Sequence, residues 1–175
     1  MKFPKEWYLN DEVLIKRKGT SAVFDHSVLG LHQIVPVSSA SLVGLHRKEA
    51  IGGMLYLTNY RLLFRSHLLN RERGTFSVFL PSINSIRDTS FGVNRNITVH
   101  TDIFAFTYIV WGIPTFIRMI EAEMSDQKAP QYRTSLRKAM DQPRLDNSKS
   151  DFFTNMNRRL TNDVLARVNG GIEPF

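Results

Sequence analysis

The chain contains no cysteine. That absence excludes a disulfide framework, thiolate zinc sites, iron–sulfur clusters and a cysteine nucleophile, and it fits a reducing compartment. Long apolar runs are missing too. No stretch reaches the ~20 apolar residues that span a bilayer, and residues 1–7 lack the apolar core of a signal peptide. Catalytic constellations are equally scarce. Gly52-Gly53 leads into a strand pattern, with no Lys-Ser/Thr helix start of a phosphate loop. There is no Gly-x-Ser-x-Gly elbow. Ser135-Leu136-Arg137-Lys138 has the Ser-x-x-Lys spacing of penicillin-binding enzymes, but it stands alone in a polar stretch. The five histidines, His26, His32, His46, His67 and His100, are scattered without i, i+4 pairing, a pattern of surface or packing roles rather than metal ligation. Asn96-Ile97-Thr98 matches a glycosylation acceptor, which without secretion is a chance match. The expectation is a non-enzyme with no metal and no cofactor.

What the chain does have is enough apolar material for a core: 175 residues, 42% of them hydrophobic. That length fits one domain with an extension, or two very small domains. Lys and Arg number 23 against 16 Asp and Glu, a net +7 with a sequence pI near 9.9. Such a field favours anionic partners, whether phospholipid, nucleic acid or an acidic protein face. Residues 128–167 hold nine Lys/Arg against four Asp/Glu, so the C-terminal part is the more basic.

Hydrophobic patterning divides the chain in three. Short apolar runs with turn residues between them fill positions 12–110. Residues 54–58 and 62–65 flank Asn59-Tyr60 at hairpin spacing. Phe76, Val78 and Leu80 alternate up to Pro81. Ile97, Val99 and Thr101 alternate next, followed by Phe104, Phe106, Tyr108 and Val110. The period then lengthens. Pro114 suits a first helical turn, and Ile113, Phe116, Ile117, Ile120 and Met124 make one apolar helical face. Residues 127–150 read as a polar linker with Pro130 and Pro143. Residues 151–175 read as an amphipathic helical tail with Met156, Leu160 and Val164 on its stripe and Gly170-Gly171 as its stop.

The segment Gly53-Met54-Leu55-Tyr56-Leu57-Thr58-Asn59-Tyr60-Arg61-Leu62-Leu63-Phe64 resembles the signature of GRAM domains, a branch of the pleckstrin-homology-like superfold. The likeness continues through Phe79-Leu80-Pro81-Ser82-Ile83-Asn84-Ser85-Ile86, the strands at 97–101 and 104–110, and the following helix. Trp111 precedes that helix, whereas pleckstrin-homology domains usually carry a tryptophan inside it. The resemblance implies a mainly β barrel or sandwich over residues 1–126, capped by a C-terminal helix, with the linker and helical tail after it. It also implies a cytoplasmic, non-catalytic module that binds phosphoinositides, peripheral membranes or proteins.

Alternation puts Leu62 and Phe64 on one face of their strand and Arg61 and Arg65 on the other, free to meet solvent or a ligand. Lys16, Arg17 and Lys18 precede Gly19-Thr20 at an expected strand–loop junction. In phosphoinositide-binding pleckstrin-homology domains, basic residues around that loop grip the headgroup. Arg47 and Lys48 occupy a second loop, and Arg71 and Arg73 a third. Converging loops would make a polyanion site of these seven; ordinary solvated charge is the competing account. Nucleic acid is not expected, because Phe76, Phe79, Phe104 and Phe106 read as core rather than as stacking platforms. The alternative from another class is a protein–protein adaptor that uses the barrel and the amphipathic tail helix, with Met156, Leu160 and Val164 offered to a partner groove.

Overall fold

Two apolar runs meet across a tight turn at the centre of the structure, and the rest of the sheet grows outward from them. In the computed structural model, which describes residues 8–25, 48–68, 70, 73–126, 130–140 and 151–170, β2 (Lys48–Thr58) pairs antiparallel with β3 (Arg61–Ser66), Leu57 opposite Leu62 and Leu55 opposite Phe64. The turn lacks an Asn-Gly pair and is held from outside instead. The amides of Tyr60 and Arg61 donate to the Thr58 hydroxyl oxygen at 3.2 and 3.0 Å. Asn59 Oδ1 accepts from the Val13 amide at 2.8 Å, and Asn59 Nδ2 donates to the Asp11 carbonyl at 3.1 Å.

Around this hairpin stand β1 (Leu14–Asp25), β4 (Thr75–Phe79), β5 (Ser85–Asp88), β6 (Asn96–His100) and β7 (Ala105–Ile109). The order β4-β3-β2-β1-β7-β6-β5 is antiparallel throughout. A helix, α1 (Ile113–Asp126), follows β7. The mainly β body capped by a C-terminal helix is as expected, with one qualification: β4 and β5 end the sheet without pairing to each other, so it is an open sandwich rather than a closed barrel.

The core between the two halves of the sheet contains Phe24, Leu55, Leu57, Leu62, Phe64, Phe76, Val78, Ile97, Val99, Phe106 and Tyr108, closed by Ile113, Phe116 and Ile120 of α1. Each large side chain fully buried here contributes about 1.5–3 kcal/mol. The half of the sheet made by β2, β3 and β4 also buries its outer face. Tyr56 and Leu63 are covered there with Tyr8 and Leu14 packed against them. Burial on both faces explains why these strands read as continuous apolar runs instead of clean alternations.

The segment expected to be a polar linker contains a helix, α2 (Pro130–Met140). Its Leu136, Ala139 and Met140 are buried against Leu9, Tyr60 and Phe79 on the outer face of the sheet. Four apolar positions in eleven residues, Tyr132 among them, sufficed because the sheet supplied the matching surface; the remainder of 127–150 lies outside the described residues. The tail forms α3 (Asp151–Gly170). Phe153, Met156 and Leu160 enter the main core, and Phe153 stacks on Phe64 and Phe76.

Helix α3 also completes the unpaired edge of β4. Asn157 Nδ2 donates to the Thr75 carbonyl at 2.6 Å, and Asn157 Oδ1 accepts from the Ser77 amide at 3.2 Å. One side-chain amide thereby takes the place of a neighbouring strand. At the other end of α3, Arg167 pairs with the Asp102 carboxylate and donates to the Pro81 carbonyl at 3.3 Å.

Candidate functional site

The strand directions define two ends of the sandwich. At one, the near end, β1, β3 and β6 begin and β2, β5 and β7 finish. At the other, the far end, β1, β3 and β6 finish and β2, β4, β5 and β7 begin. Lys16, Arg17 and Lys18 belong to the near end. They stand inside β1, opposite Leu57, Tyr56 and Leu55, and not at a strand–loop junction, because β1 runs on to Asp25.

A bulge decides how the triplet points. Leu14 pairs with Thr58 but Lys16 pairs with Leu57, so Ile15 is one residue too many for the ladder and the strand turns over there. Leu14 consequently packs outside with Tyr56 and Leu63. Lys16 and Lys18 fall in register with Ala22 and Phe24, on the rows that face inward. Lys16 is at the open mouth and is exposed. Lys18 is half-buried: its ammonium donates to the Trp111 carbonyl at 2.5 Å and lies 5.4 Å from the Phe116 ring centroid. Burial, and next to it the charge of Lys16, push the Lys18 pKa below the ordinary lysine value. Lys18 therefore ties β1 to the start of α1 and is engaged there. Arg17 points to the outer face and is exposed.

The other basic residues of interest are elsewhere. Arg73 is exposed in the 67–74 connection, its Nε donating to the Asn70 carbonyl at 3.2 Å. By the ladder, the β4 residue level with Lys18 is Phe76, through Leu55 and Phe64. Arg73 is then about 10 Å further along and about 14 Å across from Lys18 at ordinary strand spacings. Lys48 pairs through its backbone with Asp25 at the same far end. Arg47 and Arg71 lie outside the described residues. The triplet is thus not brought together with Arg73 and Lys48.

Arg61 departs most from expectation. Instead of meeting solvent it is buried, forked onto the Glu12 carboxylate. The signal that was missed is Glu12 itself, an acid directly before an apolar strand. Arg65 is half-buried.

The near end carries a further cation that sequence reading did not collect. Arg95 is exposed at the start of β6, two strands across from β1: the Val110 amide donates to the Arg95 carbonyl at 2.9 Å, and Asn96 pairs with Ile109, which is opposite Ser21. Arg87 is exposed on β5, but level with Val23 through Thr98 and Thr107, so it stands apart from the triplet. The carboxylates exposed at this end are Asp11 and Asp88. The Ser90 hydroxyl and amide hold the Asp88 carboxyl below its ordinary pKa. Among the described residues no cluster of three or more His, Asp or Glu could hold a metal, and no helix is long and apolar enough to cross a membrane. Phe76, Phe79, Phe104 and Phe106 are buried.

No family model matches the sequence, and no curated protein matches it. Among solved structures, the chain is similar to the C-terminal domain of an unknown protein from Leishmania infantum, at 16% identity and a TM-score of 0.46, over 66% of this chain and 87% of that one. It is also similar to the Vps36 N-terminal PH domain, at 12% identity and a TM-score of 0.44, over 67% of this chain and 82% of that one. Both likenesses are distant. The sandwich topology stands on its own hydrogen bonding.

Proposed function

We propose that this chain is a non-catalytic binding module of the GRAM type that associates peripherally with anionic membranes on the cytoplasmic side, with phosphoinositides as the favoured headgroups. One observation carries the reading: the exposed cations Lys16, Arg17 and Arg95 stand toward the end of the sandwich where β1 and β6 begin, with only Asp11 and Asp88 exposed against them there among the described residues. Each Lys or Arg near an anionic bilayer contributes about 1 kcal/mol. The association is therefore modest and falls with salt, because the Debye length is only ~8 Å at physiological strength.

The adaptor reading relied on the stripe of the tail helix. Met156, Leu160 and Val164 are 2%, 1% and 0% exposed in the chain's own packing, which withdraws the tail stripe and leaves an adaptor role to the surface of the sandwich. The test is co-sedimentation with vesicles of phosphatidylcholine alone, or with added phosphatidylserine or phosphatidylinositol phosphates, at low and high salt. Salt-sensitive pelleting on anionic vesicles supports membrane association. No pelleting on any anionic vesicle at low salt refutes it.

A further inference from the structure

The strongest unexplained feature is a set of large apolar side chains in water. Singly exposed apolar residues are ordinary on a protein surface. Here Phe91 is 86% exposed, Val93 88%, Trp111 74% and Val13 58%, and all four belong to the near end. The remaining one, Leu68, lies at the far end. Packing therefore left the large apolar groups at the same end as the exposed cations.

Phe91 and Val93 are held out by a rigid device. Phe91 and Asn94 exchange both backbone hydrogen bonds, at 3.1 and 3.0 Å. That leaves Gly92 and Val93 as a two-residue turn between β5 and β6. Gly92 has φ +58° and a Cβ there would meet nothing, as expected for a turn that requires glycine first and projects from the surface. Trp111 flanks the base of this hairpin, one residue beyond the Val110–Arg95 hydrogen bond.

Resting on the membrane reading above, we propose that the β5–β6 hairpin is an insertion wedge: Phe91 and Val93 enter the acyl region of an anionic bilayer, and Trp111 sits at its interface. The occupant is a lipid surface and not a protein groove. Arg95 directly follows the hairpin and Arg87 stands on the strand that enters it, both exposed, which suits a plane of negative headgroups over an apolar interior. Tryptophan is favoured at that boundary, and apolar area plus cations is the composition of interfacial anchors. The wedge adds a component of binding that salt does not screen.

The test uses the full chain and phosphatidylcholine vesicles containing phosphatidylserine. Phe91→Ser/Val93→Ser changes only exposed side chains, and an unchanged unfolding midpoint confirms the fold. We expect its partitioning to fall about tenfold or more, with the loss persisting at high salt. Trp7 and Trp111 are the only tryptophans, so in a Trp7→Phe background brominated acyl chains should quench Trp111, and the wedge substitutions should relieve that quenching. Partitioning within twofold of wild type, or an unquenched Trp111 on vesicles that the wild type does bind, overturns the wedge and leaves peripheral binding standing. Failure of the wild type to pellet on any anionic vesicle overturns both.

Discussion

Glu12 holds Arg61 with both carboxylate oxygens, each at 2.8 Å, inside the protein. Glu12 Oε2 also accepts from the Leu9 amide at 2.7 Å, and Oε1 accepts from the Thr58 hydroxyl at 2.8 Å. Arg61 Nη1 donates on to the Ser77 hydroxyl at 2.9 Å. The pair thus joins the segment before β1 to the β2–β3 hairpin and to β4. Breaking a buried pair leaves one charge uncompensated, at a cost of about 3–5 kcal/mol. Glu12→Ala and Arg61→Ala should each lower stability to urea by that order. The double variant should lose clearly less than the sum, since the two share one interaction. Single losses below about 1 kcal/mol would show that the fork is not a structural tie.

Asn157 gives a second prediction, about the tail. Its amide satisfies both a carbonyl and an amide of the β4 edge. Asn157→Leu leaves two backbone groups unpaired in a partly covered site, where each lost partner costs about 1–3 kcal/mol. Destabilisation and faster amide exchange at Ser77 are expected, with α3 itself still helical. Wild-type exchange at Ser77 would contradict the edge-capping role.

Much of this was legible from residue pattern. Leu62 and Phe64 alternate with Arg61 and Arg65 because β3 is a strand, and Ile113, Phe116 and Ile120 repeat at helical spacing because α1 has one buried face. What alternation could not supply was a second buried face. Arg61 was placed on the correct side of β3, yet that side is covered by residues 8–14 and α2, and its partner Glu12 is 49 residues away. Helix α2 was missed for a related reason: Leu136, Ala139 and Met140 gain their apolar surroundings from Tyr60 and Phe79, far off in sequence. The bulge at Ile15 has no local signal. It decides which way Lys16 and Lys18 point, so the basic triplet was visible in the sequence and its direction was not.

Close approach of backbone to side chain gives a third prediction. A Cβ added at Gly53 would lie 2.2 Å from the Arg65 carbonyl oxygen and 2.6 Å from the Phe64 ring. One contact is backbone and the other a core ring, so neither can give way cheaply. Gly53→Ala should cost about 1–3 kcal/mol or more, as overpacking does. Gly19, on the neighbouring strand, would meet nothing within 4 Å. Gly19→Ala should stay within about 0.5 kcal/mol. Equal unfolding midpoints for the two variants would refute the packing assignment at Gly53.

The last prediction separates the two ends of the sandwich as sources of membrane affinity. Lys18 is unsuitable for the test, because its ammonium bonds the Trp111 carbonyl and a substitution there strikes the fold as well as the charge. Lys16 and Arg95 are exposed at the near end and serve instead. At about 1 kcal/mol per cation, Lys16→Ala/Arg95→Ala should weaken binding to anionic vesicles about 30-fold at low salt. The difference should shrink as salt screens both proteins toward the apolar component alone. The far-end pair Lys48→Ala/Arg73→Ala should stay within about threefold of wild type, because Lys48 is about 23 Å along the sheet from the level of Lys18 and Arg73 about 10 Å along and about 14 Å across. If that far-end pair abolishes pelleting while the near-end pair leaves it intact, the headgroup site is at the far end, and the near end is only solvated charge.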